Sequence, residues 1–175
     1  MLQIGSGIID AFPFWLGNML TRSVHHKINL FLRANCLEEH EHWRWWKDMA
    51  HHYGIQDSQF CTVKLSYDVA ELNRYLTTAS TSFGLACAMG AINFAIETGA
   101  AILTAEVAPG MSRTLNGKER LWIEAHASGD PDHSADSREL IKLLTRNDTK
   151  AQEAIRTVVN RTGLLFTNAL RSAYI

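Results

Sequence analysis

The sequence predicts an all-α fold, a bundle of five or six helices in one domain spanning residues 1–175, and three observations carry that expectation. No stretch alternates apolar and polar residues between turn residues, so the sheet signal is weak. Prolines occur only at 13, 109 and 131, which leaves long uninterrupted segments. Between residues 24 and 52, Ile28, Leu32, Asn35, Glu39, His42 and Trp46 follow one another at steps of three or four, the spacing of one helical face. The first two elements are a short helix from about Phe14 to Arg22 and a long one from about Val24 to His52, ended by Gly54. Ser58 to Lys64 reads as a loop, followed by helices over about Val69 to Ala79 and Phe83 to Ala108, the latter stopped by Pro109 and Gly110. After a loop through Asn116 and Gly117, a helix from about Lys118 to Arg146 is expected to bend at Gly129-Asp130-Pro131, and the last runs from about Thr149 to Ala173.

A chain of 175 residues is long enough to bury its own core. Hydrophobic residues make up 46% and charged residues 20%, and the net charge is −1. That balance leaves no basic footprint for nucleic acid or for an anionic membrane. The three cysteines, 36, 61 and 87, are widely spaced and form no CxxC, so neither a disulfide framework nor a thiolate metal site is expected. The first ten residues lack the basic and continuous apolar regions of a secretory signal, which together with the cysteines points to the cytoplasm. Residues 81–105 are apolar and small, but Glu97 interrupts them, and the segment reads as a buried helix rather than a membrane span.

Three elements carry candidate chemistry. Glu39 and His42 have the E-x-x-H spacing that lets one helix present a carboxylate and an imidazole to one ion, although the polar run Glu38-Glu39-His40-Glu41-His42 also fits a solvated face. Glu97 is the only charged residue between Thr81 and Ala105, so it needs a proton, a salt bridge to a distant arginine, or a metal. His126, Asp130 and His133 fall at i, i+4 and i+7 and point the same way on a continuous helix. The same residues fit a Gly-Asp-Pro-Asp turn with Asp132 capping the next helix, and a local bend accommodates both readings. Three imidazoles and three carboxylates suit iron or manganese better than structural zinc. A ferritin-type bundle wants a second E-x-x-H, which is absent. His25, His26, His51, His52 and His40 read as surface residues. Trp43, Trp46, Phe94 and Trp122 lie beside the candidate ligands, as cavity walls or as plain core.

The order E-x-x-H, a lone Glu in an apolar helix, then H-x-x-x-D-x-x-H resembles the heme-oxygenase-like diiron oxidases, relatives of the thiaminase II and pyrroloquinoline-quinone synthase group. The match falls on Glu39, His42, Glu97, His126, Asp130 and His133, within a region from Val24 to about Leu144. The resemblance implies a seven-helix heme-oxygenase-like bundle in which these six residues hold two Fe2+ ions, with manganese or a mixed pair fitting the same ligands. It further implies that dioxygen is used to oxidise a small acid or an amino-acid-derived substrate, with an external electron donor. The chain begins close to the family's second helix, so the first helix is expected to be missing or shortened, Met1 to Ile9 being too short to replace it. The cleft so left would favour a homodimer. Two other readings of the same fold stay open: a cofactor-independent enzyme of the thiaminase II or quinone-synthase type, and a non-catalytic partner subunit.

Overall fold

Helices account for the regular structure of the described residues, and no strand occurs among them. The computed structural model describes residues 1–111, 113–128, 130–146 and 148–173; the side chains of Ser128, Asp130 and Pro131 fall outside that description. The segments are α1 (residues 2–9, its second part the π-helical Gly5–Ile9), α2 (Phe12–Arg22), α3 (His26–His52), α4 (Asp57–Thr62) and α5 (Tyr67–Ser82). They continue with α6 (Leu85–Met111, π-helical over Gly90–Ile96), α7 (Leu121–Ser128, entered through a 3-10 turn, Gly117–Arg120), α8 (Asp130–Leu144) and α9 (Thr149–Ala173).

Local chemistry explains most of the boundaries. Helix α3 ends where Gly54 adopts φ +79°, and the N–H groups of Gly54 and Ile55 close back on the carbonyls of His51 and Ala50, the Schellman arrangement that glycine permits. Ser66 caps α5 by accepting from the Val69 N–H. The expected loop at 58–64 is instead the short helix α4. Its start is held by a reciprocal cap between Gln56 and Gln59, and its Phe60 is buried against Trp43 and Trp46. Pro109 does not stop α6, which continues to Met111. The carbonyl that the proline ring displaces belongs to Ala105, an exposed residue whose oxygen water can satisfy.

The core forms where α2, α3, α5, α6 and α9 converge, with Trp15, Leu16, Met19, Leu32, Leu72 and Met89 fully buried. Helix α6 passes through its centre. By length and composition Leu85–Met111 could cross a membrane, yet its first half is wrapped by α5, α8 and α9, which accounts for its apolarity without a bilayer. Its second half is less enclosed, with Ile102 exposed, and full burial is concentrated in residues 88–93, 96 and 97.

Met1 to Ile9, expected to be too short to replace a first helix, is nevertheless helical over residues 2–9. Gly7 packs against Val69 and Leu65 of the α5 region, and Ile4, Ile8 and Ile9 form part of the wall of the main cavity. Two glycines give opposite expected outcomes. A Cβ at Gly7 meets a Val69 methyl at 2.5 Å, whereas one at Gly17 in α2 meets nothing within 4 Å. Gly7→Val is expected to lower unfolding free energy by about 1–3 kcal/mol through overpacking. Gly17→Ala should raise it by about 0.5–1 kcal/mol through helix propensity. Urea denaturation followed by circular dichroism measures both.

Candidate metal centre

The buried stripe of α3 runs Ile28, Leu32, Asn35, Glu39, His42, Trp46 and Met49, so an otherwise apolar face turns a carboxylate and an imidazole inward. Helix α6 brings Glu97 to the same region and α7 brings His126. Glu39, His42, Glu97 and His126 are only 5, 5, 3 and 6% exposed, too little for water to stabilise their charges.

Glu39, His42 and His126 each offer a ligand atom, all within 4.8 Å of one another. His42 Nδ1 lies 3.1 Å from Glu39 Oε1, and the two imidazole rings sit 4.4 Å apart centre to centre. His126 donates from Nδ1 to the Trp122 carbonyl at 2.7 Å, which assigns its proton to Nδ1 and leaves the Nε2 lone pair free. Burial pushes its pKa down to about 4, so the ring is neutral at neutral pH, the state a ligand requires. Trp122 stacks on the ring at 4.1 Å and meets Trp46 edge-on at 4.6 Å, locking the imidazole in place.

Beside this triad stands a second group. Glu97 Oε1 accepts from Asn35 Nδ2 at 3.0 Å and Asn93 Nδ2 at 3.3 Å. Its Oε2 is 3.4 Å from His133 Nδ1, within ion-pair reach but long for a hydrogen bond, and both atoms are buried without a hydrogen-bonding partner. Burial pushes the Glu97 carboxyl up, an effect opposed chiefly by His133. His133 is raised to about 9, first by Glu97 and also by Glu38 and Glu39. The two shifts compete for one proton. It stays on the imidazole, because two carboxylates face that ring while two amide donors support Glu97 as an anion.

Five of the predicted ligands thus occupy one buried region, in which Glu39 acts electrostatically on Glu97, His126 and His133. The side chain of Asp130, the sixth, lies outside the described residues; its backbone opens α8 one turn before His133. The cation opposite Glu97 is an imidazolium rather than the distant arginine considered as one alternative. Three polar neighbours escaped the sequence reading. Asn35 was visible on the α3 stripe, Asn93 precedes Glu97 by one helical turn, and Glu38 was hidden in a run of polar residues. Trp46 and Trp122 wall the cavity, one of the two readings left open for them, whereas Trp43 packs on Phe60 and Phe94 faces a separate surface groove beside α8 and α9. His51 and His52 hold surface ion pairs with Asp57 and Glu119, and His40 is exposed.

Glu39, Glu97 and His126 border one end of a cavity of about 160 Å³, otherwise walled by apolar side chains such as Ile8, Ile96, Leu103, Val107, Phe166 and Leu170. None of the three cysteines lines it. Among the described residues, Glu39, His42 and His126 form a group whose ligand atoms could hold one metal ion, and Glu97 Oε2 and His133 Nδ1, 3.4 Å apart, offer two further buried ligand atoms; imidazoles and carboxylates without thiolate suit an ion of the iron or manganese type.

Comparison with solved structures shows the fold to be a known one. The chain superposes on a TenA homologue from Pseudomonas syringae pv. tomato with a TM-score of 0.88, at 21% identity over 97% of this chain and 75% of that one. The likeness establishes the all-α, heme-oxygenase-like fold. No family model matches the sequence, and no curated protein does.

The His126 shift gives a pH dependence with a definite sign. Its folded pKa of about 4 lies below the unfolded value of about 6.5, so the unfolded state takes up the proton first as pH falls. Metal-free protein in chelator should lose stability progressively from pH 6.5 down to 4, with His126 accounting for on the order of 3 kcal/mol. Urea titrations at several pH values should show that loss reduced in His126→Gln; equal slopes in both proteins would exclude His126 as the source.

Proposed function

We propose that the chain is a non-heme diiron oxidase or oxygenase that uses dioxygen to oxidise a small-molecule substrate. The observation that carries the reading is the convergence of buried Glu39, His42 and His126 beside Glu97 Oε2 and His133 Nδ1, buried atoms that face each other at 3.4 Å without a hydrogen bond. Glu39, His42 and His126 would hold one ion. Glu97 and His133 would hold the second, with Asp130 as the resemblance implies. Two ferrous ions, or a manganese or mixed pair, would supply the electrons that dioxygen activation requires, with an external donor restoring them.

The chain's own residues do the rest. The Trp122 carbonyl keeps the His126 proton on Nδ1, and the amides of Asn35 and Asn93 hold Glu97 by one oxygen so that the other stays available. The apolar walls keep bulk water from the reacting end and leave room for a molecule of roughly benzene size, in line with a small substrate. Two carboxylates at one end of such a cavity repel an acidic substrate unless cations lie between them, which is a further reason to expect metal.

A second reading, a metal-free enzyme of the same fold, draws on the structural likeness to the TenA homologue. In it, Glu39, Glu97 and His126 would contact an organic substrate directly, and a cysteine nucleophile within the cavity would be lacking.

Anaerobic loading with ferrous iron separates the two. Two irons per chain and rapid dioxygen consumption are expected for the wild type, with Glu97→Ala and His126→Ala each holding at most one iron firmly and consuming no dioxygen above background. If the wild type takes up no more iron than the variants, the metal reading fails and the metal-free enzyme takes its place.

A further inference from the structure

Helix α3 presents two consecutive carboxylates, and only one of them faces the cavity. Glu39 turns inward to His42 and His126, while Glu38 lies about 100° further round the helix and is half exposed. Its Oε2 lies 3.0 Å from His133 Nε2, a bridge from the middle of α3 to the first turn of α8. The other ring nitrogen, Nδ1, faces Glu97 Oε2 at 3.4 Å, and these two buried atoms make no hydrogen bond.

An exposed glutamate–histidine pair by itself contributes only a few tenths of a kcal/mol to stability. Its effect on the ring is another matter. An imidazole has two nitrogens, and the one engaged by a hydrogen bond keeps the proton when the ring is neutral, so the partner decides which nitrogen has a lone pair to give. Both nitrogens of the imidazolium carry protons in the metal-free protein; when the ring gives one up to a metal ion, Glu38 keeps the proton on Nε2, and Nδ1, the nitrogen directed at Glu97, supplies the lone pair. Among the described residues the ring's polar contacts are side chains, Glu38 at Nε2 and Glu97 at Nδ1, while the His133 carbonyl accepts from the Ser137 hydroxyl within the helix.

We propose that Glu38 is a positioning residue of this site, holding His133 by Nε2 so that Nδ1 and Glu97 Oε2 together face one metal ion. The assignment rests on the two-metal reading. It makes Glu38 the outer carboxylate of a carboxylate–histidine–metal arrangement, in which loss of the outer partner typically weakens metal binding 10–100-fold. It also separates the two ions, since the group of Glu39, His42 and His126 includes no atom held by Glu38.

Cobalt(II) titration of the full chain, read by visible absorption and calorimetry, tests this for wild type, Glu38→Ala and Glu38→Gln. The wild type is expected to bind two ions. Glu38→Ala should weaken one of them 10–100-fold and leave the other unchanged. Glu38→Gln, whose amide oxygen still accepts from Nε2, should regain most of the lost affinity, a rescue that a merely structural role would not produce. Two ions bound with equal affinity by all three proteins would overturn the assignment and leave the metal reading intact. Equal weakening of both ions in both variants would also overturn it, marking a loss of fold that thermal denaturation of the metal-free variants would register independently. Absence of cobalt binding by the wild type would remove the metal reading and the role of Glu38 with it.

Discussion

Two carboxylates buried in an apolar bundle are the constraint around which this molecule is arranged. Glu39 and Glu97 are each withdrawn from water, and an ionised carboxylate so placed costs several kcal/mol unless charge and hydrogen bonds offset it. The surrounding residues supply that offset in kind: amides from Asn35 and Asn93, an imidazole from His42 and an imidazolium from His133. Compensation is nevertheless incomplete. Glu97 Oε2 keeps no hydrogen bond, and the imidazolium opposite it stands where a metal cation would serve the same electrostatic purpose. A site that sets two buried carboxylates beside imidazoles and one exchangeable proton is already disposed to hold cations.

The packing follows from that requirement. Helix α6 carries Glu97 through the centre of the bundle, and its π-helical stretch ends at Ile96, immediately before the carboxylate. Such stretches are frequent at functional positions. Around it α1, α7 and α9 close an apolar cavity against the polar end. The same walls that exclude water raise the cost of an unpaired charge and strengthen every electrostatic contact inside, so the stability of the bundle and the chemistry of the site rest on one low dielectric. The surroundings set the protonation of the two imidazoles in opposite directions: burial keeps His126 neutral, whereas Glu97, with Glu38 and Glu39, keeps His133 charged against the effect of burial.

Much of this was legible in the residues. Helical spacing and punctuation located α3, α5 and α9, because each carries its own apolar face and end signals. The lone Glu97 in an apolar run announced a buried charge without any structure. Elements held by less common devices were not legible: α4 starts on a glutamine cap, α6 passes through Pro109 where Ala105 is exposed, and α1 packs as a helix against surfaces that α3, α4, α5 and α9 offer it. Asn35, Asn93 and Glu38 carry no distinguishing signal alone, since what matters about them is which oxygen or nitrogen they meet across the bundle.

The sequence by itself determined the all-α class, the main helices and the residue types able to hold a cation, because helical periodicity and the cost of a buried charge are local properties of the chain. Only the tertiary structure decided which of those side chains meet. Residues 39, 97, 126 and 133 come from four different helices, and their distances depend on how those helices cross, a matter of packing that no spacing along one helix contains. The fold also decided the division of labour between Glu38 and Glu39, neighbours of identical chemistry that a rotation of about 100° sends to different partners.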